Sequence, residues 1–195
     1  MAAFVPFLTG ERLYLRPLLE ADAQGPYLAW FNDEEVCRGN SHRVFPFTPG
    51  AAQDYIAHAG KTRDALILAI ILHEDDRHIG NISLQGINWV SRSAEFAIVI
   101  GDKTAWGKGY AREAARLLLD HGFRALNLHR VGCGTYEGNA AMARLALSLG
   151  MKKEGRRRQA AFKDGRYVDV IEYGVPRNEY EEHWRTKDKD EHGNS

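Results

Sequence analysis

Between Ala94 and Tyr136 an apolar run, a glycine-rich turn, a helically spaced stretch and a second apolar run follow one another, and that order leaves few folds open. Ala94-Glu95-Phe96-Ala97-Ile98-Val99-Ile100 is short and rich in β-branched residues, which predicts a buried strand carrying one acid. From Tyr110 to about Ala125, Ala111, Ala114, Ala115, Leu118 and Gly122 recur at intervals of three and four, opposite Arg112, Arg116 and Asp120. This predicts an amphipathic helix whose small inward residues let it lie close to a sheet. Val131 to Tyr136 reads as the next strand, so the two strands are expected to run parallel, joined by a crossover helix. Gly107 and Gly109 flank Lys108 where that helix begins. Backbone N–H groups converge there, and the helix dipole favours negative charge. The glycines fit a phosphate cradle for a nucleotide or a coenzyme pyrophosphate; they fit equally a plain strand-to-helix turn with a solvated lysine.

The 195 residues suit one domain better than two, and acids and bases balance at 26 each, so no global charge favours nucleic acid or an anionic membrane. Cys37 and Cys133 lack the spacing of a zinc site or a disulfide framework and read as plain thiols of a reducing compartment, Cys133 buried in a strand. With no signal-like N-terminus and no run approaching a membrane span, a soluble cytoplasmic protein is expected. No internal repeat or linker interrupts the chain.

Before the central unit, Leu13 to Pro17 reads as a strand and about Glu20 to Phe31 as a helix interrupted near Gly25-Pro26. Thr48-Pro49 opens a second helix to about Gly60. Ala65 to Leu72 and His78 to Asn88 form a hairpin around Glu74 to Arg77. After it, a helix from Ala140 to Leu149 is closed by Gly150, and Lys152 to Phe162 pairs with Arg166 to Val175 around Lys163-Asp164-Gly165. Arg156 to Arg158 reads as a solvated edge. Beyond Tyr180 the charged, aliphatic-poor tail reads as disordered, so the domain is expected over 8–180 with a tail over 181–195.

The glycine loop fails both common nucleotide patterns. A mononucleotide loop needs a hydroxyl where Gly109 stands, and the dinucleotide pattern needs a glycine where Arg112 stands. The stretch Ala94 to Ala115, with Asn127-Leu128-His129-Arg130, Glu137-Gly138-Asn139 and Ser148-Leu149-Gly150-Met151, instead resembles the GCN5-related N-acetyltransferases (GNAT). Within them it is similar to the branch of ribosomal-protein alanine and spermidine N-acetyltransferases, over roughly Leu13 to Tyr180. The family's coenzyme motif falls on Trp106, Gly107, Lys108, Gly109, Tyr110 and Ala111, with Trp106 in place of the usual Gln or Arg.

The resemblance implies an α/β (α+β) GNAT fold: one mixed, mostly antiparallel sheet of about six or seven strands, splayed at its central parallel pair and flanked by about four helices. It implies acetyl-CoA, with coenzyme A as product and no metal. The pyrophosphate would lie on the N–H groups from Gly107 to Arg112, near the charges of Lys108 and Arg112. The pantetheine arm would pair with the backbone of Ile98, Val99 and Ile100, and Asn139 would meet its thiol end. Asn139 fits equally well as the N-cap of its helix.

Direct transfer to an amine needs a base, a polarised carbonyl and an acid for the thiolate. A backbone N–H near Val99 or Ile100 suits the carbonyl. Glu95 suits the base, since burial in its strand would raise its pKa; it suits equally a structural pair to Arg92 or Arg130. Asp169 and Glu172 are the alternatives. Counting from Asn139, Met142 and Ala146 stand where the relatives carry their serine and tyrosine, and neither donates a proton. Tyr136 is the nearest candidate acid; water is the other.

In the family the acceptor site is lined by the first two helices, their loop and the last hairpin, which brings in Trp30, Asn32, Glu35, Arg38 and Tyr167. Acids 33–35 suit a cationic amine, whereas Trp30 and Arg38 suit a sugar or nucleotide. An amino sugar is placed ahead of a protein N-terminus and a polyamine. The expected partners are this amine, small or peptidic, and a second copy of the chain in a homodimer, with neither nucleic acid nor membrane. A catalytically weak acetyl-CoA-binding or sensing module is the competing function.

Overall fold

The computed structural model describes residues 5–192. Eight strands form one sheet in the order β1-β2-β3-β4-β5-β6-β8-β7. They are β1 (Leu8–Thr9), β2 (Leu13–Pro17), β3 (Leu66–Leu72), β4 (His78–Asn88), β5 (Ser93–Ile100), β6 (Arg130–Tyr136), β7 (Lys152–Lys163) and β8 (Arg166–Pro176). Every neighbouring pair is antiparallel except β5 and β6, which are parallel and joined by the helix between them. The sheet thus has one strand more than the upper expectation. The addition is β1, whose two residues pair at the edge of β2 and carry no alternation long enough to be read from the sequence.

The helices are α1 (Tyr27–Trp30), α2 (Pro49–Ala59), α3 (Tyr110–Arg124), α4 (Ala140–Ser148) and α5 (Arg177–His192). Gly25-Pro26 does interrupt the first helical stretch: a 3-10 turn over Glu20–Gln24 precedes the single turn of α1. Thr48 caps α2 by accepting from the Ala51 N–H, with Pro49 at the first helical position.

Alternation along the strands divides the apolar residues between two cores. Ile67, Ala69 and Ile71 face Tyr27, Trp30, Phe31 and Ile56 of the α1–α2 lobe. Leu68, Ile70, Ile82, Leu84 and Phe96 face the opposite way, onto Ala114, Ala115, Leu118 and Phe123 of α3. Each fully buried side chain of this size contributes about 1.5–3 kcal/mol, and the two cores fix which face of β5 and β6 is left open.

The tail departs from expectation. Residues 181–192 continue a helix in which Tyr180 and Trp184 are buried, Tyr180 packing at a tilt against Phe123 with ring centroids 4.8 Å apart. Two large aromatics spaced four residues apart supply the apolar stripe that aliphatics do not, which is why composition alone reads the segment as disordered. Residues 193–195 lie outside the described residues. Among the described residues no helix is long and apolar enough to cross a membrane, and no group of His, Cys, Asp and Glu is arranged to hold a metal.

Candidate active site

The parallel pair β5–β6 is joined over three residues only. Ser93 pairs with Arg130, Ala94 with Val131 and Glu95 with Gly132, after which the two strands part. Each stays tied to its outer neighbour, β5 to β4 as far as Ile100 and β6 to β8 as far as Tyr136. The result is a V-shaped cleft with Glu95 at its closed end and the glycine loop at its open end.

The β4 register decides which backbone groups face into this cleft. The Gly101 N–H donates to the Ile79 carbonyl at 2.9 Å, which marks Gly101–Ile79 as a hydrogen-bonding position of the ladder, and by alternation Val99–Asn81 is the next. Ile98 and Ile100 therefore turn their N–H and C=O groups toward the gap, while those of Val99 are committed to β4. This corrects the expectation for Val99 as a source of the carbonyl donor. Trp106 already occupies one of the cleft groups, its indole N–H donating to the Ile100 carbonyl at 2.8 Å.

At the open end, Gly107 has φ +73 and Gly109, the residue capping α3, has φ +82, backbone that a side chain would strain. Among the described residues no protein acceptor takes the N–H groups of Gly107, Lys108 and Gly109, and those of Tyr110 and Ala111 belong to the unpaired first turn of α3. The loop is braced from behind. Arg12 donates to the Lys108 carbonyl at 2.9 Å and through Nε to Glu113 at 2.8 Å, and its guanidinium lies 4.9 Å from the centre of the Tyr110 ring. Bracing carbonyls on one side while N–H groups stay free on the other is the arrangement an anion needs. Arg112 does not share in the cradle's backbone, since its N–H donates to the Gly109 carbonyl at 3.1 Å. Its guanidinium lies 5.3 Å from the Trp184 ring of α5, and its buried Nε has no acceptor among the described residues.

Glu95 is exposed, which corrects the expected burial. Pairing with Gly132 sets it on the face opposite Phe96, the face that β4 lines with Ser83 and Gln85. Neither structural partner is available to it: Arg130 forks onto Glu154, and Arg92 donates to the Asn127 carbonyl. Among the described residues Glu95 has no hydrogen-bond or ion-pair partner. The alternatives are engaged. Asp169 is held by Arg156 and by the Gln159 N–H, and its carboxyl is lowered, first by that N–H and then by Arg156. Glu172 receives Arg157 at 2.5 Å. Tyr136 is half-buried at the far end of β6, and burial pushes its phenol up, so it keeps its proton. Cys133 is a free, buried thiol pushed up to about 12, first by burial and then by Glu95 and Glu172.

Asn139 caps α4, its Oδ1 accepting from the Met142 N–H at 3.1 Å, and its Nδ2 donates to the Gly39 carbonyl at 3.1 Å. The acceptor-side residues fall on the loop between α1 and α2 and on the last hairpin, which touch: Lys163 Nζ donates to the carbonyls of Cys37 at 3.0 Å and Asn40 at 3.3 Å. Several serve the loop itself. Asn32 bridges Leu28 and Phe47, and Trp30 is buried against Gly101, where a Cβ would lie 1.9 Å from its Cδ2. Asp33 and Glu35 both grip Lys103, at 2.9 and 2.8 Å, so the acids read as a cation site already hold an ammonium. Arg38 and Tyr167 are exposed, Tyr167 edge-on to Phe162 with centroids 5.2 Å apart.

Sequence reasoning missed the buried chain beneath this lobe. Arg16 forks onto Asp22 at 2.7 and 2.8 Å, and His78 lies 3.5 Å from Asp22 and 2.8 Å from Asn81. Burial alone would raise the Asp22 carboxyl, but the bonds from Arg16, His78 and the Leu19 N–H outweigh it and hold it well below the usual range. No spacing rule links Arg16, Asp22 and His78; a lone arginine in an apolar strand was the available signal.

A family model described as an acetyltransferase (GNAT) domain matches residues 12–152. Among relatives, an uncharacterized N-acetyltransferase p20 of Bacillus licheniformis is 33% identical over 174 residues, 87% of this chain and 96% of its own. A spermidine N(1)-acetyltransferase of Vibrio cholerae is 35% identical over 102 residues, 52% of this chain and 58% of its own. A crystal structure of spermidine N-acetyltransferase from Vibrio cholerae in complex with CoA and spermine superposes with a TM-score of 0.79 at 25% identity, covering 87% of this chain and 98% of that one. Together with the splayed parallel pair and the free N–H groups that open α3, these likenesses make the chain a member of the GNAT acetyltransferase family, an acetyl-CoA-dependent N-acetyltransferase.

Proposed function

We propose that the chain acetylates the primary amine of a small molecule, with Glu95 as the base and Tyr136 as the acid. The observation that carries this is the cleft, which closes at an unpartnered carboxylate and opens at a set of unpaired N–H groups. Acetyl-CoA supplies an acyl group activated as a thioester. Gly107, Lys108, Gly109, Tyr110 and Ala111 hold the pyrophosphate, with Trp106 and Arg112 flanking it; Ile98 and Ile100 pair with the pantetheine amides; Asn139 meets the thiol end. Glu95 takes the ammonium's proton so that nitrogen presents a lone pair, and the N–H of Ile98 or Ile100 polarises the carbonyl. Nitrogen bonds to the acyl carbon as the carbon–sulfur bond breaks; Tyr136 gives its proton to the departing sulfur and regains one from the acylated nitrogen, which loses its second proton there. Trp30, Asn32, Glu35, Arg38 and Tyr167 shape the acceptor's surroundings.

For the acceptor, an amino sugar stands ahead of a protein N-terminus and a polyamine, because Lys103 neutralises Asp33 and Glu35 and leaves the exposed Arg38 without an ion pair among the described residues. The relatives named as spermidine N-acetyltransferases support a polyamine as the second reading. The test is thiol release from acetyl-CoA across amino sugars, polyamines and N-terminal peptides, with mass spectrometry of the product. Highest kcat/KM on amino sugars is expected; highest on spermidine would transfer the assignment to the second reading. Saturable acetyl-CoA binding without transfer to any of them would mark a sensing module.

A further inference from the structure

Three carbonyls in one short stretch of the α1–α2 loop are taken by two side chains from elsewhere in the chain. Asn139 Nδ2 reaches Gly39, and Lys163 Nζ reaches Cys37 and Asn40. Asn139 comes from the start of α4, beside the end of β6, and Lys163 from the tip of the β7–β8 hairpin. The contact at Gly39 is close enough to exclude a side chain: a Cβ there would lie 2.5 Å from Asn139 Nδ2. The orientation of the Asn139 amide is also fixed. Its oxygen must face the Met142 N–H that it caps, so its nitrogen must face Gly39, and of the two hydrogens on that nitrogen one is left over.

We propose that Gly39 is a positioning residue that, through Asn139, registers the acceptor loop to the end of the coenzyme arm, so that coenzyme binding tightens the loop. The inference rests on the reading that Asn139 receives the arm. One hydrogen of Nδ2 holds the loop and the other is offered to the arm; an acceptor on the second pins the amide and with it the first. Lys163 holds the same loop but belongs to no coenzyme-facing element, so its tie is independent of the coenzyme.

Amide hydrogen exchange of the full chain, with and without saturating coenzyme A, tests this without knowledge of the acceptor. The N–H groups of Cys37, Arg38 and Asn40 are bonded within the loop, to the carbonyls of Asp33, Glu35 and Cys37, and report its opening. In the wild type, coenzyme A is expected to slow their exchange at least about fivefold, the lower end of ordinary coupling between sites, alongside protection of residues 107–111. Asn139→Asp keeps the capping oxygen and removes the donor, and Gly39→Ala displaces the amide. In Gly39→Ala, protection of 107–111 persists while that of 37–40 disappears; in Asn139→Asp, that of 37–40 disappears even at coenzyme A concentrations that restore protection of 107–111. Lys163→Gln speeds exchange of 37–40 in both states but preserves their ratio. Unchanged or faster exchange at 37–40 in the wild type, with 107–111 protected, overturns the proposal, as does full loop protection in Asn139→Asp. Absence of protection at 107–111 would instead remove the coenzyme reading, and this inference with it.

Discussion

The two sides of the cleft treat their polar groups in opposite ways. On the coenzyme side, side chains brace the loop through its carbonyls, as Arg12 does at Lys108, and the N–H groups of Gly107 to Gly109 stay free. On the acceptor side, the loop's side-chain groups are consumed within the chain: Asn32 bonds Phe47, Arg43 reaches Glu34, and Lys103, from beyond β5, neutralises Asp33 and Glu35. A site built from backbone N–H groups is committed to its ligand by the glycines that shape it. A site built from side-chain charges on a loop is not, because the chain can consume them. The difference explains why the coenzyme follows from the fold while the acceptor does not.

The largest effect is expected where the coenzyme side has no slack. Gly109 sits at φ +82, and a Cβ there would meet Arg12 Nη2 at 3.4 Å. Gly109→Val places a β-branched side chain in backbone it adopts only under strain, and the cradle and its Arg12 brace must shift together. Titration calorimetry should show coenzyme A affinity reduced about 100-fold or more, roughly 2.7 kcal/mol, while circular dichroism shows the domain folded. Wild-type affinity in that variant would put the pyrophosphate somewhere other than this loop.

Next in size is the proton chemistry, assigned to Glu95 at the closed end of the cleft and to Tyr136 at the far end of β6. Glu95→Gln removes the base and should lower kcat about 10²–10⁴-fold with coenzyme A affinity unchanged. Tyr136→Phe should act on the alkaline limb of the pH–rate profile, because burial raises that phenol and keeps it protonated at neutral pH. A Glu95→Gln variant with normal turnover would hand the proton to water, and an unchanged alkaline limb in Tyr136→Phe would remove the phenol from the reaction.

Elements set by local rules were legible in advance. Pro49 and Thr48 start α2, Gly150 at φ +83 follows α4, and the spacing of Ala114, Ala115 and Leu118 marks the buried face of α3. The cleft's position follows from the resemblance, and its geometry from where β5 and β6 stop pairing. What stayed hidden depends on partners distant in sequence. Glu95 looks buried because its neighbours are, yet alternation places it on the face opposite Phe96, and nothing in the sequence says that the chain leaves it exposed there. Asp33 and Glu35 look available because Lys103 is about 70 residues away and meets them only once the sheet is formed. The buried Arg16–Asp22–His78 chain is invisible for the same reason.

The smallest effect sharpens the contrast most. Lys103 and Glu35 are exposed and Asp33 is half-buried, so the pairs are largely solvent-screened and each is weak. Its ammonium is nonetheless raised, first by Glu35 and then by Asp33, and Asp33 is lowered, first by Lys103, so at neutral pH Lys103 and Asp33 are both charged. Lys103→Gln removes the internal cation and leaves both acids without it, ready for one end of a polyamine. The KM for spermidine should fall about twofold to fivefold while that for an amino sugar stays the same, and Asp33→Asn with Glu35→Gln in the same background should reverse the gain. If spermidine KM instead rises in Lys103→Gln, the lysine orders the loop rather than competing with the substrate. The acceptor side would then resemble the coenzyme side, with side chains bracing a backbone that does the binding.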